Sequence, residues 1–140
     1  MDLDLSSLKK AVTSLENVLK ETGNDQFMNG LTDVQKNAMI AGAIQNFEFT
    51  YELCWKFIKR WLEINLSSTE VEGVTRRHLF RLATEVKLID DVETWMVFHR
   101  ARNQTSHVYD ETVAQDVYET AVEFLPAAQK LLAALEAKNA

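Results

Sequence analysis

The sequence is short of the residues that punctuate a chain. It has four glycines and one proline in 140 residues, where average usage would supply roughly 17. Turn-dense sandwiches and barrels, and glycine-rich phosphate loops, depend on frequent positive-φ or pre-kinked positions, so this shortage argues against them. An all-α protein is what remains. Cysteine is equally scarce: Cys54 stands alone, which excludes an internal disulfide and any multi-cysteine zinc site and fits a reducing compartment. No apolar run approaches the roughly 18 residues needed to span a bilayer. The start, Met1-Asp2-Leu3-Asp4, lacks the basic and apolar regions of a signal peptide. The expectation is a cytoplasmic protein with no membrane partner. A chain of this length fits one domain over residues 1–140 and leaves no room for a second catalytic domain.

Net positive charge is also missing. Fifteen Lys and Arg stand against 21 Asp and Glu, a formal charge of −6, which disfavours indiscriminate nucleic-acid binding through a general positive field. The distribution is uneven. Between Arg76 and His107 six basic residues face four acidic ones, a local +2 that leaves −8 for the remainder. All three histidines, His78, His99 and His107, fall in that segment. If the protein handles an anion, this is where it would do so, although a mixed surface would give the same arithmetic.

What the chain does contain is helical periodicity. Leu5, Leu8, Val12, Leu15 and Leu19 predict a first helix from about Leu5 to Glu21, ended by Thr22-Gly23-Asn24. Asp25 to Leu31 reads as a loop, and Thr32 or Asp33 can cap a very long second helix. Along that helix Ile40, Ile44, Phe47, Tyr51, Cys54, Ile58 and Leu62 share a narrow arc and read as core. Its polar face carries Glu48, Glu52, Lys56, Lys59 and Glu63, with Glu52 spaced to pair with Lys56. Phe49, Leu53 and Phe57 form a second apolar flank, which suggests burial against another chain, with a thick intramolecular core as the competing account. Ser67 to Val74 reads as a loop, followed by a short helix capped by Thr75 and running through Leu88. After the break at Ile89-Asp90-Asp91 comes a helix bearing Trp95, Phe98 and Arg102 near one face. It should lose regularity at Thr105-Ser106, whose hydroxyls compete for backbone hydrogen bonds. Asp110 caps the last helix, whose stripe runs from Val113 through Phe124 to Leu135. Pro126 inside it should produce a kink.

One run concentrates chemistry. Arg102-Asn103-Gln104-Thr105-Ser106-His107-Val108-Tyr109 places a guanidinium, an amide, an imidazole and a phenol within eight residues. In a continuous helix Arg102 and His107 would sit about 140° apart and could not share a small ligand, so convergence requires a helix end between them. A histidine can accept a proton from a ribose 2′-hydroxyl or return one to a departing oxygen. An arginine can hold the phosphate and neutralise the charge that builds up on it. That pair is sufficient for metal-free RNA cleavage. By spacing alone, helix termination, capping and surface pairing explain the same residues.

The pattern Arg102-Asn103-x-x-x-His107-x-Tyr109, after the apolar Trp95-Met96-Val97-Phe98 stretch, resembles the Arg-x4-His-x-Tyr motif of HEPN-domain proteins. Phe47-Glu48-Phe49-Thr50-Tyr51-Glu52-Leu53-Cys54-Trp55-Lys56 is similar to the long-helix signature of one branch, the HepT-like nucleotidyltransferase substrate-binding proteins. The resemblance spans nearly the whole chain. It implies an up-and-down bundle of four main helices with one additional short helix, forming a homodimer and working with a small partner nucleotidyltransferase. It also implies that Arg102 and His107 are catalytic toward RNA, that Asn103 supports them, and that Tyr109 contacts a nucleotide or is modified by AMP transfer. The branch itself suggests an alternative, a noncatalytic subunit that presents a nucleotide or other substrate to the transferase.

Blander readings compete at several positions. Glu48 and Glu52 beside Lys56 are the usual makings of a solvated pairing face, although their place in the branch signature marks all three as groove residues. No HExxH or Cys-x-x-Cys spacing is present, so neither a metal nor another cofactor is expected. His78 and His99 read as structural or RNA-contacting, Cys54 as an inert core residue, and Trp55 and Trp61 as packing residues.

Overall fold

Helix α1, Ser6–Thr22, exists because Leu8, Ala11, Val12 and Leu15 return to one side every turn; all four are buried. The computed structural model describes residues 3–139. Asp25–Asn29 forms a short helix, α2, where the sequence suggested only loop. The Asn24 side chain caps it by accepting from the Phe27 amide, and five residues are too few to show a periodicity. Helix α3, Asp33–Asn65, is 33 residues long, about 50 Å at 1.5 Å per residue. Its start is fixed by a reciprocal capping box. Thr32 Oγ1 accepts from the Gln35 amide at 3.1 Å, and Gln35 Oε1 accepts from the Thr32 amide at 2.9 Å.

The core stripe of α3 is as expected, with Ile44, Phe47, Tyr51, Cys54, Ile58 and Leu62 all buried. The second flank divides. Phe57 is 2% exposed and belongs to the core, Leu53 is half-buried, and Phe49 is 60% exposed. The helix is wrapped on more than one side, by α1, by the later helices and by the segment after its C-terminus. Within the Ser67–Val74 stretch Ser68–Val71 closes one further turn, α4, capped by Ser67 and anchored by buried Val71.

Helix α5, Arg76–Glu85, is capped by Thr75 and ends three residues earlier than the sequence suggests. Lys87 adopts φ 65°, and the Leu88 amide bonds back to the Ala83 carbonyl at 2.9 Å, a left-handed C-terminal closure that turns Leu88 and Ile89 into the core. Helix α6, Val92–Asn103, starts at an Asp91 cap and buries Trp95, Phe98 and Ala101. A 3₁₀ turn, Gln104–His107, follows directly. Helix α7, Glu111–Lys138, starts at Asp110, whose carboxylate accepts from the Thr112 and Val113 amides. It runs on through Pro126, whose ring lies on the exposed face.

The architecture is all-α. Helices α1, α3, α6 and α7 make the bundle, α5 is the additional short helix, and α2 and α4 are minor turns. Phe124 on α7 is the aromatic centre: its ring meets Phe47 and Phe98 at 5.1 Å, Trp95 at 5.8 Å and Tyr51 at 6.3 Å, mostly edge to face. The ends meet as well. Leu3 donates its amide to Asn139 Oδ1 at 2.7 Å, and Asn139 Nδ2 donates to the Leu3 carbonyl at 2.8 Å. Among the described residues no helix is long and apolar enough to cross a membrane.

Candidate functional site

The middle of α3 and the end of α6 meet through charge. Arg102 Nε donates to Glu52 Oε1 at 2.9 Å, and its second terminal nitrogen lies 3.6 Å from Glu48 Oε1. Glu52 uses its other oxygen to accept from Trp55 Nε1 at 3.0 Å. The Arg102 and Glu52 side chains are each 30% exposed, so the pair is only partly screened by solvent. The expected Glu52–Lys56 pairing is therefore replaced. A planar fork can engage carboxylates one turn apart in α3, whereas a lysine is a point charge on a flexible stem. The guanidinium also offsets the repulsion between Glu48 and Glu52. Both acids and Lys56 line a cavity of about 370 Å³ together with Gln45, Phe49 and Leu53.

The backbone break falls close to where the hydroxyl residues suggested. Thr105 Oγ1 donates to the Arg102 carbonyl at 2.8 Å, which helps convert the end of α6 into the 3₁₀ turn. One α-helical step and four tighter steps advance about 580° along a common axis, leaving His107 about 220° round from Arg102. Tightening thus carries the imidazole past the back of the turn. Among the described residues no hydrogen bond joins Arg102 and His107; the Arg102 side chain meets Glu52, Glu48 and Thr105, and the exposed His107 packs its ring against Tyr109 at 6.1 Å and 73°. Tyr109 is 84% exposed and borders a second cavity, of about 600 Å³, walled by Ile40, Ala41, Ile44, Val108 and Ala114.

A further polar cluster lies behind this surface, and the sequence did not reveal it. Tyr51, on the core stripe of α3 and fully buried, brings its hydroxyl within 2.9 Å of His99 Nδ1 on α6. His99 Nε2 lies 3.5 Å from Asn103 Nδ2, the side-chain amide nitrogen, one turn further on. Arg76, at the start of α5, lies flat over Trp55 with its guanidinium carbon 3.4 Å from the ring centroid; one terminal nitrogen is buried without a hydrogen-bond partner. Burial pushes the Tyr51 phenol far up, so it stays protonated. Burial, and then the positive charge of Arg76, holds His99 below the ordinary histidine range, with Glu52 pulling the other way. The available signal was a phenol, the one polar tip in an otherwise apolar stripe.

The fold is one that solved structures share. The chain superposes with a TM-score of 0.92 on a Haemophilus influenzae protein described as revealing the fold of a substrate binding domain of a nucleotidyltransferase. The two are 32% identical, over 95% of this chain and 99% of that one. A protein of Thermus thermophilus matches with a TM-score of 0.71 and 25% identity, over 91% of this chain and 98% of that one. The class is therefore that of the helical substrate-binding-domain fold. More narrowly, residues 3–137 match the family described as nucleotidyltransferase substrate binding protein like, and the chain belongs to that family. It is also 34% identical over 138 residues to a probable ribonuclease HepT of Haemophilus influenzae, covering 98% of this chain and 94% of that one.

Proposed function

We propose that this chain is a HepT-like ribonuclease that needs no metal, acts as a homodimer, and is restrained by a small partner nucleotidyltransferase that adenylylates Tyr109. One observation carries the reading: Arg102 is held by Glu52 and Glu48 at the end of α6, and the turn after it presents His107 and Tyr109 to solvent. In the reaction His107 takes the proton from a ribose 2′-hydroxyl, and the 2′-oxygen attacks the adjacent phosphorus. The bond from phosphorus to the 5′-oxygen breaks, that oxygen receives a proton from an imidazolium, and a 2′,3′-cyclic phosphate remains. Arg102 neutralises the charge on the phosphoryl oxygens, and Asn103 adds a neutral donor. Because no hydrogen bond joins Arg102 and His107 within one copy among the described residues, a second copy supplies the imidazole that completes each set. Phe49 and the cavity bounded by Glu48, Glu52 and Lys56 give that copy an apolar, charge-rimmed surface.

Purified protein should cleave RNA to 2′,3′-cyclic phosphate ends, and His107→Ala should abolish cleavage while keeping its helical circular dichroism. Incubation with the partner enzyme and ATP should raise the intact mass by AMP units in the parent and not in Tyr109→Phe. A second reading is favoured by the same ion pairs: a guanidinium already neutralised by two carboxylates suits a noncatalytic subunit that presents a nucleotide to the transferase. A parent protein that cleaves no RNA across diverse sequences yet binds nucleotide would establish that alternative.

A further inference from the structure

Among the described residues the Arg76 guanidinium makes no ion pair and no hydrogen bond, and one of its terminal nitrogens, only that one, is shut away from solvent. Glu52, the carboxylate that bears on it, already engages Arg102 with one oxygen and Trp55 with the other. What holds Arg76 is the Trp55 ring, on which the fork lies flat at 3.4 Å. That face of the indole is therefore covered and is no platform for a base. Stacking fixes the plane of a guanidinium but leaves the N–H donors around its edge free. Trp55 also donates its Nε1 to Glu52, and Glu52 holds Arg102. One turn of α3 thus anchors two guanidiniums, Arg102 from α6 and Arg76 from α5, and the charge of each reaches His99.

Arg76 lines a cavity of about 200 Å³ together with Trp55, Lys59, Gly73 and Thr75. The lining holds two cations and no carboxylate, in a chain whose net charge is −6. Lys59, like Arg76, has no ion pair among the described residues. Thr75 Oγ1 accepts from the His78 amide at 3.1 Å, which leaves the hydroxyl hydrogen to donate. Two like charges around one small space repel, and an anion between them reverses the sign of that energy. Sites that enclose a drug-sized ligand run to roughly 300–1,000 Å³, so this one has room for a phosphate and not for a nucleoside. We propose that Lys59 and Arg76, with the Thr75 hydroxyl, form a second phosphate subsite next to Arg102, for a phosphate ester of RNA or of a nucleotide, and that Trp55 is its positioning residue. The inference rests on the proposed function for the source of the phosphate, while the cation pair stands on geometry alone.

The probes are ATP, followed by titration calorimetry, and a labelled 2′-O-methyl oligoribonucleotide, which has no free 2′-hydroxyl and so stays intact. Anisotropy of the oligomer over a range of salt concentrations gives a log–log slope, to which each phosphate contact on a single strand contributes about 0.7. Arg76→Met keeps the aliphatic stem over Trp55 and removes the charge. It and Lys59→Met should each flatten the slope by about 0.7, which near about 0.1 M salt is a loss of about fivefold in affinity. Arg76→Lys should restore the slope. Loss confined to the oligomer supports the subsite and assigns it to a flanking RNA phosphate; loss confined to ATP supports it and assigns it to a nucleotide; loss with both supports it for either. The proposal is overturned if either Met variant keeps the parent's slope and affinities with both probes, or if the parent binds neither. Flattening as great in Arg76→Lys as in Arg76→Met also overturns it, because lost packing then explains the effect. Cleavage of ordinary RNA is a separate measurement: a parent that binds the oligomer and cleaves nothing ends the ribonuclease reading and leaves the subsite standing.

Discussion

The contact between α3 and α6 that bears most on the site is Glu52 with Arg102, and a double-mutant cycle can measure it. Glu52→Gln keeps the shape and removes the charge; Arg102→Met keeps the aliphatic stem and removes the fork. The bond is charge-assisted at 2.9 Å, with Glu48 at 3.6 Å from the same guanidinium. Hydrogen bonds to charged groups contribute about 1.5–3 kcal/mol when well shielded. With 30% of each side chain in contact with solvent, screening reduces the coupling to about 1–2 kcal/mol. For a chain of this size, Glu52→Gln should lower Tm by about 3–8 °C. Urea unfolding of the parent, both single variants and the double variant supplies the four free energies. The double variant should be more stable than the sum of the single losses predicts. Losses that add to within about 0.3 kcal/mol would show that the pair is a surface coincidence and that the carboxylates do not fix Arg102.

Phe124→Ala should cost about 3–5 kcal/mol, because the ring is fully buried among four other aromatic side chains; thermal unfolding followed by circular dichroism reads it directly. Pro126→Ala should raise Tm, since the proline deprives an exposed face of α7 of one backbone hydrogen bond and makes no buried contact that the change would sacrifice; an unchanged or lower Tm would contradict this. Stability should also fall with pH in a way His99 controls. Its folded pKa lies below the ordinary 6.5, by burial and then by Arg76, so below about pH 6.5 the unfolded chain takes up a proton that the folded chain resists. Tm should therefore drop as pH falls from about 6.5 toward the folded pKa, and the slope should be shallower in His99→Gln.

How much of the molecule is legible in its sequence depends on whether a feature is local. Capping by Thr32, Thr75 and Asp110 is set within three residues, and all three cap as their side chains suggest, while Asp91, read only as part of a break, caps α6 as well. The apolar arc from Ile44 to Leu62 is equally plain, because period and burial coincide. Phe57 falls on an outer flank only if a single arc presumes a single neighbour, whereas α3 is packed on several sides. The short helices α2 and α4 hold too few turns for periodicity to register. Residues Glu48, Glu52, Lys56 and Arg102 all stand out by motif, but which carboxylate meets the arginine is hidden. That pairing spans 50 positions and depends on how α3 and α6 are staggered. The same holds for Tyr51 and His99, 48 apart.

The bond between Leu3 and Asn139 joins positions 136 apart in the chain. Bringing such distant points together in a loose polymer carries nearly the whole entropy of a closed ring, so the contact cannot help to start folding. It forms only after α1 and α7 have already docked, and it then prevents either terminal helix from unzipping alone. Slow exchange of the Leu3 amide would therefore report that assembly is finished, from a spot remote in sequence from every residue that holds the core.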